Sequence, residues 1–539
     1  MNDPRPDAHE TNTTLISVRE AVFDLLRALK MTTVFGNPGS TELPFLDRWP
    51  DDFRYVLGLQ EASVVGMADG YARATGRAAF CNLHSAAGVG HALGNIYNAY
   101  RNQTPLVISA GQQSRSLLPT NPFLGASEAA SFPKPYVKWS SEPARAEDVP
   151  QAIAHAYHIA TQRPYGPTLV SIPFDDWRAR TRRVPPRVVM SDVAPDPKAL
   201  ESLAQALNGA RRPVLVAGAE IDQDNAGAAM VVLAERLEAP VWAAPFASRV
   251  TFPEEHALFQ GFLTASPEAI SRTLAGHDLV LVIGAPVFTF HVPGDCALFT
   301  SGARIVQLTA DGEALAAAPA GMGILGSLRQ ALPALAEQVR QRERTAPARK
   351  PPAPPKPDHP IRAEFLLRTL SRLMPRDAII VEEAPVHRPA IQAHLPIPAY
   401  GAFHTMASGG LGYSLPAAVG VALADPSRRV ICIIGDGSMM YSFQALWTAV
   451  QHKLPLTVIV LNNQGYGALR SFGQVLQIRD APGFDLPGLD FVALAKGVGC
   501  EARQVERAED IADALTDAWE KTSPFLIDVR VESAVPNLY

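Results

Sequence analysis

The stretch that most restricts what this chain can fold into runs from Val430 to Asn463. An apolar, β-branched run, Val430 to Ile434, enters Gly435-Asp436-Gly437-Ser438; a helix-like segment follows, and a second apolar run, Leu456 to Leu461, ends at Asn462-Asn463. Two strands joined through a helix pair in parallel. The carboxyl ends of adjacent parallel strands open on one crevice, so Asp436 and Asn463 are expected to converge there on a single ion. Oxygen donors of this kind suit magnesium. The glycines allow close approach of a diphosphate, and the start of a helix near Ser438 adds N–H groups and a favourable dipole.

The same alternation recurs along the chain. Ser17 is placed to cap a helix carrying Val18, Val22, Leu25, Leu26 and Leu29, with Glu20 three residues after the cap. Strands are expected at Thr33 to Phe35, which runs into the turn Gly36 to Ser40, and at Ala79 to Leu83 and Leu106 to Ala110. Pro213 to Ala217 and Leu279 to Ile283 mark a second α/β block, apolar on both faces. Ala378 to Val381 and Phe525 to Val529 complete a third block with the two strands named first. A proline-dense stretch suits extended chain rather than a helix interior or central strand. The expected organisation is three doubly wound parallel-sheet α/β domains, 1–190, 191–344 and 361–539, with a linker at 345–360.

A chain of 539 residues is too long for one growing core, and 47% hydrophobic against 19% charged residues rules against disorder. A net charge of -5, without basic clusters interleaved with aromatics, argues against a nucleic-acid partner. Cys81, Cys296, Cys432 and Cys500 lack zinc-site spacing and read as buried filler. The polar N-terminal segment lacks the apolar core of a secretion signal and no apolar run reaches spanning length, so no membrane association and a cytoplasmic location are expected.

The succession GDGS then LNNQGYG resembles the signature of thiamine-diphosphate enzymes. The resemblance implies thiamine diphosphate and Mg2+ as cofactors, with Asp436 and Asn463 giving side-chain oxygens and Gly465 a carbonyl to the metal. Gly435, Gly437 and Ser438 belong to the diphosphate loop. Glu61, which follows the apolar segment Tyr55 to Leu59, reads on its own as an acid at a helix start. The resemblance gives it the role of hydrogen-bonding the pyrimidine ring nitrogen and so activating the cofactor. Gly409 would offer a carbonyl to the exocyclic nitrogen and Leu411 would support the bent cofactor, where residue type alone makes Leu411 plain core.

Four further stretches, VFGNPGSTELPFL, NLHSAAGVG, GAPVFTFH and FVALAKG, are similar to the benzoylformate decarboxylase family, and the similarity extends from about Leu15 to Val531. By position it implies that Ser40 binds the substrate carboxylate while His84 and His291 exchange protons with the reacting species, a task suited to histidine. Phe123, Leu124, Thr405, Ala468, Leu469 and Phe472 match the substrate pocket. Thr405, Pro385 and Ser471 depart from the residue types of that family, which bears on substrate preference. The implied activity is non-oxidative decarboxylation of an aromatic or bulky 2-keto acid to the aldehyde, with carboligation as a side reaction, in a homo-oligomer of at least two chains and often four. The alternatives are a carboligase of the acetolactate-synthase or benzaldehyde-lyase type, a non-catalytic cofactor-binding regulatory subunit, and a flavin-bearing relative, although no Gly-rich dinucleotide fingerprint is present in the middle block.

Overall fold

Every strand expected above is present in the computed structural model, which describes residues 14–343, 349, 352–478, 481–534, 536 and 538. Of the expected linker, 345–348, 350 and 351 lie outside the described residues, and 352–358 carries neither helix nor strand. Ser17 caps the helix Val18–Ala28: its hydroxyl accepts from the Glu20 N–H at 3.1 Å, and the Glu20 carboxylate accepts from the Ser17 N–H at 2.8 Å. The helix buries Val18, Val22, Leu25 and Leu26 as its spacing requires.

The chain forms two compact units, Met1–Arg73 with Arg77–Met190, and Ser191–Tyr539 with Ala74–Gly76. The first contains a six-stranded sheet in the order Arg54–Leu57, Thr33–Gly36, Ala79–Leu83, Leu106–Gln112, Pro167–Pro173, Trp139–Ser141, parallel throughout. The second contains two such sheets. One runs Phe259–Phe262, Val241–Ala243, Pro213–Ala217, Leu279–Ile283, Arg304–Thr309, Met322–Leu325, and the other Phe403–Thr405, Ile379–Glu383, Val430–Gly435, Leu456–Asn462, Phe525–Arg530, Glu501–Val505. Both are parallel throughout. Strand Pro213–Ala217 shows why such runs are apolar at every position: Val214 and Val216 enter one buried cluster, Leu215 and Ala217 another on the opposite face. All four cysteines are buried and free. No helix among the described residues is long and apolar enough to cross a membrane.

The two sheets of the second unit are stitched together. The Thr405 N–H donates to the Ser248 carbonyl at 3.0 Å, and Arg249 bridges His404 in antiparallel fashion. Asp222 accepts from the Gly401 N–H at 2.8 Å and from the Arg249 guanidinium at 3.3 Å.

Strand Ile379–Glu383 departs most from expectation, because it continues through two adjacent glutamates that are both fully buried. Glu382 is neutralised by Arg388 and accepts from the Ala384 N–H at 2.6 Å. The Glu383 carboxylate accepts from the N–H groups of Gly412, Tyr413 and Ser414, each at 2.7 Å, and from the Ser438 hydroxyl. It thereby caps the helix Ser414–Ala424 from another element and joins the 409–412 loop to the GDGS loop.

Burial pushes the Glu383 carboxyl up, to about 7, although its four donors pull the other way. This folded-state value lies above the ordinary 4.5, so the group's contribution to stability is fully present below about pH 4.5 and is lost as the pH rises through about 7. Glu383→Gln removes the titration. Calorimetry of the cofactor-free protein should show the wild-type melting temperature falling relative to that of E383Q between about pH 5 and about pH 8. A difference that stays constant over that range would exclude Glu383 as its source.

Candidate active site

Three neighbouring strands of the first sheet deliver their carboxyl ends to one edge. After Thr33–Gly36 comes the turn Ser40–Glu42, after Arg54–Leu57 comes Glu61, and after Ala79–Leu83 comes His84. The His84 Nδ1 lies 2.8 Å from a Glu42 carboxylate oxygen and 3.0 Å from the Thr41 hydroxyl. Glu42 is buried and also accepts from the Gly39 N–H at 2.8 Å and from the Thr41 hydroxyl at 2.6 Å. With the Thr41 proton directed to the carboxylate, the network assigns the N–H of a neutral His84 to Nδ1 and leaves Nε2 as the nitrogen open to other partners. Residue 39 must be glycine for this approach, since a Cβ there would lie 2.3 Å from His84 Nδ1. Ser40 opens the same turn with its side chain exposed. Glu42 was not among the residues expected, although it lies inside the PGSTELPFL stretch.

Glu61 is the first residue of the helix Glu61–Thr75 and is 8% exposed, so this acid at a helix start is also a largely desolvated one. Its carboxylate lies 3.1 Å from the Nδ1 of His91, a residue that sequence reasoning passed over on the exposed side of the helix Ser85–Arg101. Phe123 and Leu124 lie on the long connection after Leu106–Gln112. Phe123 is exposed, while the Leu124 carbonyl accepts from the Ser85 hydroxyl at 2.8 Å, which brings this segment beside His84.

In the second unit, Asp436 and Asn463 end adjacent strands as the motif predicts. The helix starts at Asp436 itself, two residues before Ser438, with Gly435 as its N-cap. The Asp436 carboxylate accepts from the N–H groups of Gly437 at 2.7 Å and Gly465 at 3.0 Å, yet burial still holds its pKa above the ordinary value. Asn463 is 3% exposed, and its Nδ2, a donor rather than a ligand atom, has no partner among the described residues. The Gly465 carbonyl accepts from the Gly467 N–H at 2.9 Å and retains a second lone pair. Among the described residues no three His, Cys, Asp or Glu side chains cluster as a metal site. One carboxylate, one amide and one carbonyl therefore make a donor set that fits a hard cation completed by diphosphate and water, and does not fit an all-protein cage. Gly409, at φ +76°, stands in open space, and Leu411 is half-buried beside the Glu383-bound turn.

The helix Gly467–Val475 carries Ala468, Leu469 and Phe472 at spacings that share one face. Phe472 lies against His291, ring centroids 5.1 Å apart. His291 follows the strand Leu279–Ile283 of the middle sheet and is exposed. Thr405 is fully buried; its hydroxyl donates to the Glu382 carbonyl at 2.8 Å and accepts from Arg388 at 2.7 Å, since a buried hydroxyl must find partners inside the protein. Ser471 is likewise turned inward, donating to the Pro536 carbonyl at 3.0 Å. Pro385 is half-buried at the head of a short turn.

Comparison with known proteins agrees with this geometry. The N-terminal TPP-binding domain of thiamine pyrophosphate enzymes matches residues 16–130, their central domain 200–335 and their C-terminal TPP-binding domain 388–529. Benzoylformate decarboxylase of Pseudomonas aeruginosa is 46% identical over 96% of this chain and 100% of its own length. The crystal structure of benzoylformate decarboxylase from Polynucleobacter necessarius superimposes with a TM-score of 0.94 at 41% identity, covering 96% of this chain and 99% of that one. The thiamine diphosphate-dependent 4-hydroxybenzoylformate decarboxylase of Rhodococcus jostii RHA1 does so with a TM-score of 0.93 at 44% identity, covering 96% and 100%. The chain belongs to the thiamine pyrophosphate enzymes, in the family of benzoylformate decarboxylase.

Proposed function

We propose that this chain is a thiamine-diphosphate- and magnesium-dependent lyase that removes carbon dioxide from an aromatic 2-keto acid and releases the aldehyde. The observation that carries the reading is the edge of the third sheet. There Asp436 and Asn463 end adjacent strands, and Glu383 ties the 409–412 loop to the GDGS loop. The names of the similar proteins, two acting on benzoylformate and one on 4-hydroxybenzoylformate, support an aromatic acid.

Bound thiamine diphosphate supplies a carbon nucleophile and an electron sink. The chain supplies the rest. Asp436, Asn463 and the Gly465 carbonyl would hold magnesium, and Gly435, Gly437 and Ser438 would cradle the diphosphate with the backbone at the helix start. Gly409, Leu411 and Glu61 would receive the pyrimidine. Ser40 would take the substrate carboxylate. His84, its Nδ1 tied to Glu42, presents Nε2 to accept or deliver a proton, and His291 offers a second imidazole. Phe123 and Leu124 in the first unit, and Ala468, Leu469 and Phe472 in the second, are the side chains whose apolar character would suit an aryl group. Carboligation would follow whenever an aldehyde reaches the site before the proton does. The assembly we propose is a homo-oligomer, a dimer of dimers.

Glu61→Gln should lower turnover of benzoylformate by roughly 10²-fold or more, the usual worth of a positioned proton-transfer group. Near wild-type turnover would remove Glu61 from the mechanism. Chelation and dialysis should yield inactive protein that recovers only when magnesium and thiamine diphosphate are returned together. Aldehyde release from a panel of aryl, aryl-pyruvate and branched 2-keto acids identifies the preferred acid, and a panel-wide absence of aldehyde would overturn the reading.

A further inference from the structure

Phe246 has a backbone that its side chain does not favour. It lies in the loop after strand Val241–Ala243 with φ +54°, in the left-handed region where a bulky residue is a genuine outlier, and the residue is 37% exposed. A large apolar side chain on a strained, partly exposed loop position is kept there by its surroundings, and such positions cluster at functional sites. The loop is nailed at both ends. The Ala244 N–H donates to the Ala217 carbonyl at 2.8 Å, and the Ser248 carbonyl accepts from the Thr405 N–H at 3.0 Å. Arg249, next in the chain, is held by its bridge to His404 and by Asp222.

The anchored loop sends its ring to His291. The two centroids are 5.9 Å apart with the planes 78° from parallel, a T-shaped contact. Phe472 meets the same imidazole at 5.1 Å and 31°. His291 is thus held by one ring nearly perpendicular to it and a second lying obliquely along it, brought from two different sheets. Its own N–H donates to the Ala265 carbonyl at 2.9 Å, which anchors the backbone beneath the ring. Aromatic pairs of this geometry favour defined ring orientations.

We infer that Phe246 is a positioning residue for His291, orienting the imidazole that exchanges protons with the substrate. The inference rests on the proposed role of His291. Phe246 has no place in the cofactor cradle, so its effect belongs in turnover rather than in cofactor binding.

The test uses the holoenzyme. Phe246→Asn removes the ring while placing a residue that tolerates a left-handed backbone, so the variant should melt at or above the wild-type temperature. Its kcat should fall roughly 10-fold or more, with KM and the dissociation constant for thiamine diphosphate changed by less than about 3-fold, because misorientation of a proton-transfer group acts on the chemical step. Phe246→Tyr or Phe246→Trp should restore turnover. In a His291→Ala background, Phe246→Asn should add little further loss, because the group it positions is gone. Full turnover by F246N, failure of both aromatic replacements, or a loss that multiplies undiminished onto H291A would each overturn the inference while leaving the decarboxylase reading intact. Wild-type turnover by H291A itself would instead remove His291 from the proposed mechanism, and the inference with it.

Discussion

A carboxylate enclosed by protein must draw all of its hydrogen bonds from protein, and the edge of the third sheet is organised around one that does. Glu383 gathers three backbone N–H groups from residues 412–414 and the Ser438 hydroxyl onto its two oxygens. A free helix N-terminus and a loop hydroxyl could have been left to solvent, and each would then have kept its freedom to move. Tying both to one buried group means neither loop can shift without leaving a charge or several donors unsatisfied, at a cost of about 1–3 kcal/mol for each buried group so stranded. The loops assigned to the two halves of the cofactor are therefore in register before any cofactor arrives. That is preorganisation in its plainest physical sense.

The parallel sheet makes this economical. Every strand in each of the three sheets points the same way, so every strand-to-helix turn of a sheet emerges at one edge. In the first unit that rule brings the Ser40 turn, Glu61 and His84 to a common edge from three adjacent strands. In the second it does the same for Asp436 and Asn463. The side chains that touch these groups come from other elements: Glu42 of the Ser40 turn against His84, His91 of the following helix against Glu61, Phe246 of the loop after Val241–Ala243 against His291.

The uneven legibility of the sequence follows from the same division. Strands such as Ala79–Leu83, Pro213–Ala217 and Leu279–Ile283 were readable to the residue, because burial on both faces demands an unbroken apolar run. Ile379–Glu383 was read two residues short, because two glutamates look like the start of a loop. Their partners, Arg388, Ser438 and the 412–414 backbone, lie at sequence distances no local pattern reports. The motif positions Asp436 and Asn463 were visible because spacing alone implies their convergence. Glu42 and Phe246 were not, since a buried acid in a turn and a phenylalanine in a left-handed conformation have no signature beyond their tertiary contacts.

The three departures from the benzoylformate decarboxylase pattern also change meaning once placed. Thr405 has its hydroxyl engaged by Glu382 and Arg388, and Ser471 donates to Pro536, so neither presents a polar group to a substrate. Pro385 remains partly exposed, and it heads the turn that presses Val386 toward Gly467, the first residue of the helix bearing Ala468, Leu469 and Phe472. A Cβ at 467 would lie 2.8 Å from the Val386 side chain, so turn and helix have no slack between them. A change at Pro385 would therefore reach that helix through Val386, and Phe472 with it. Because Phe472 also lies against His291, a shift of the helix reaches the imidazole as well. If, as proposed, Phe472 meets the substrate and His291 moves its proton, the two roles are coupled through a single ring contact.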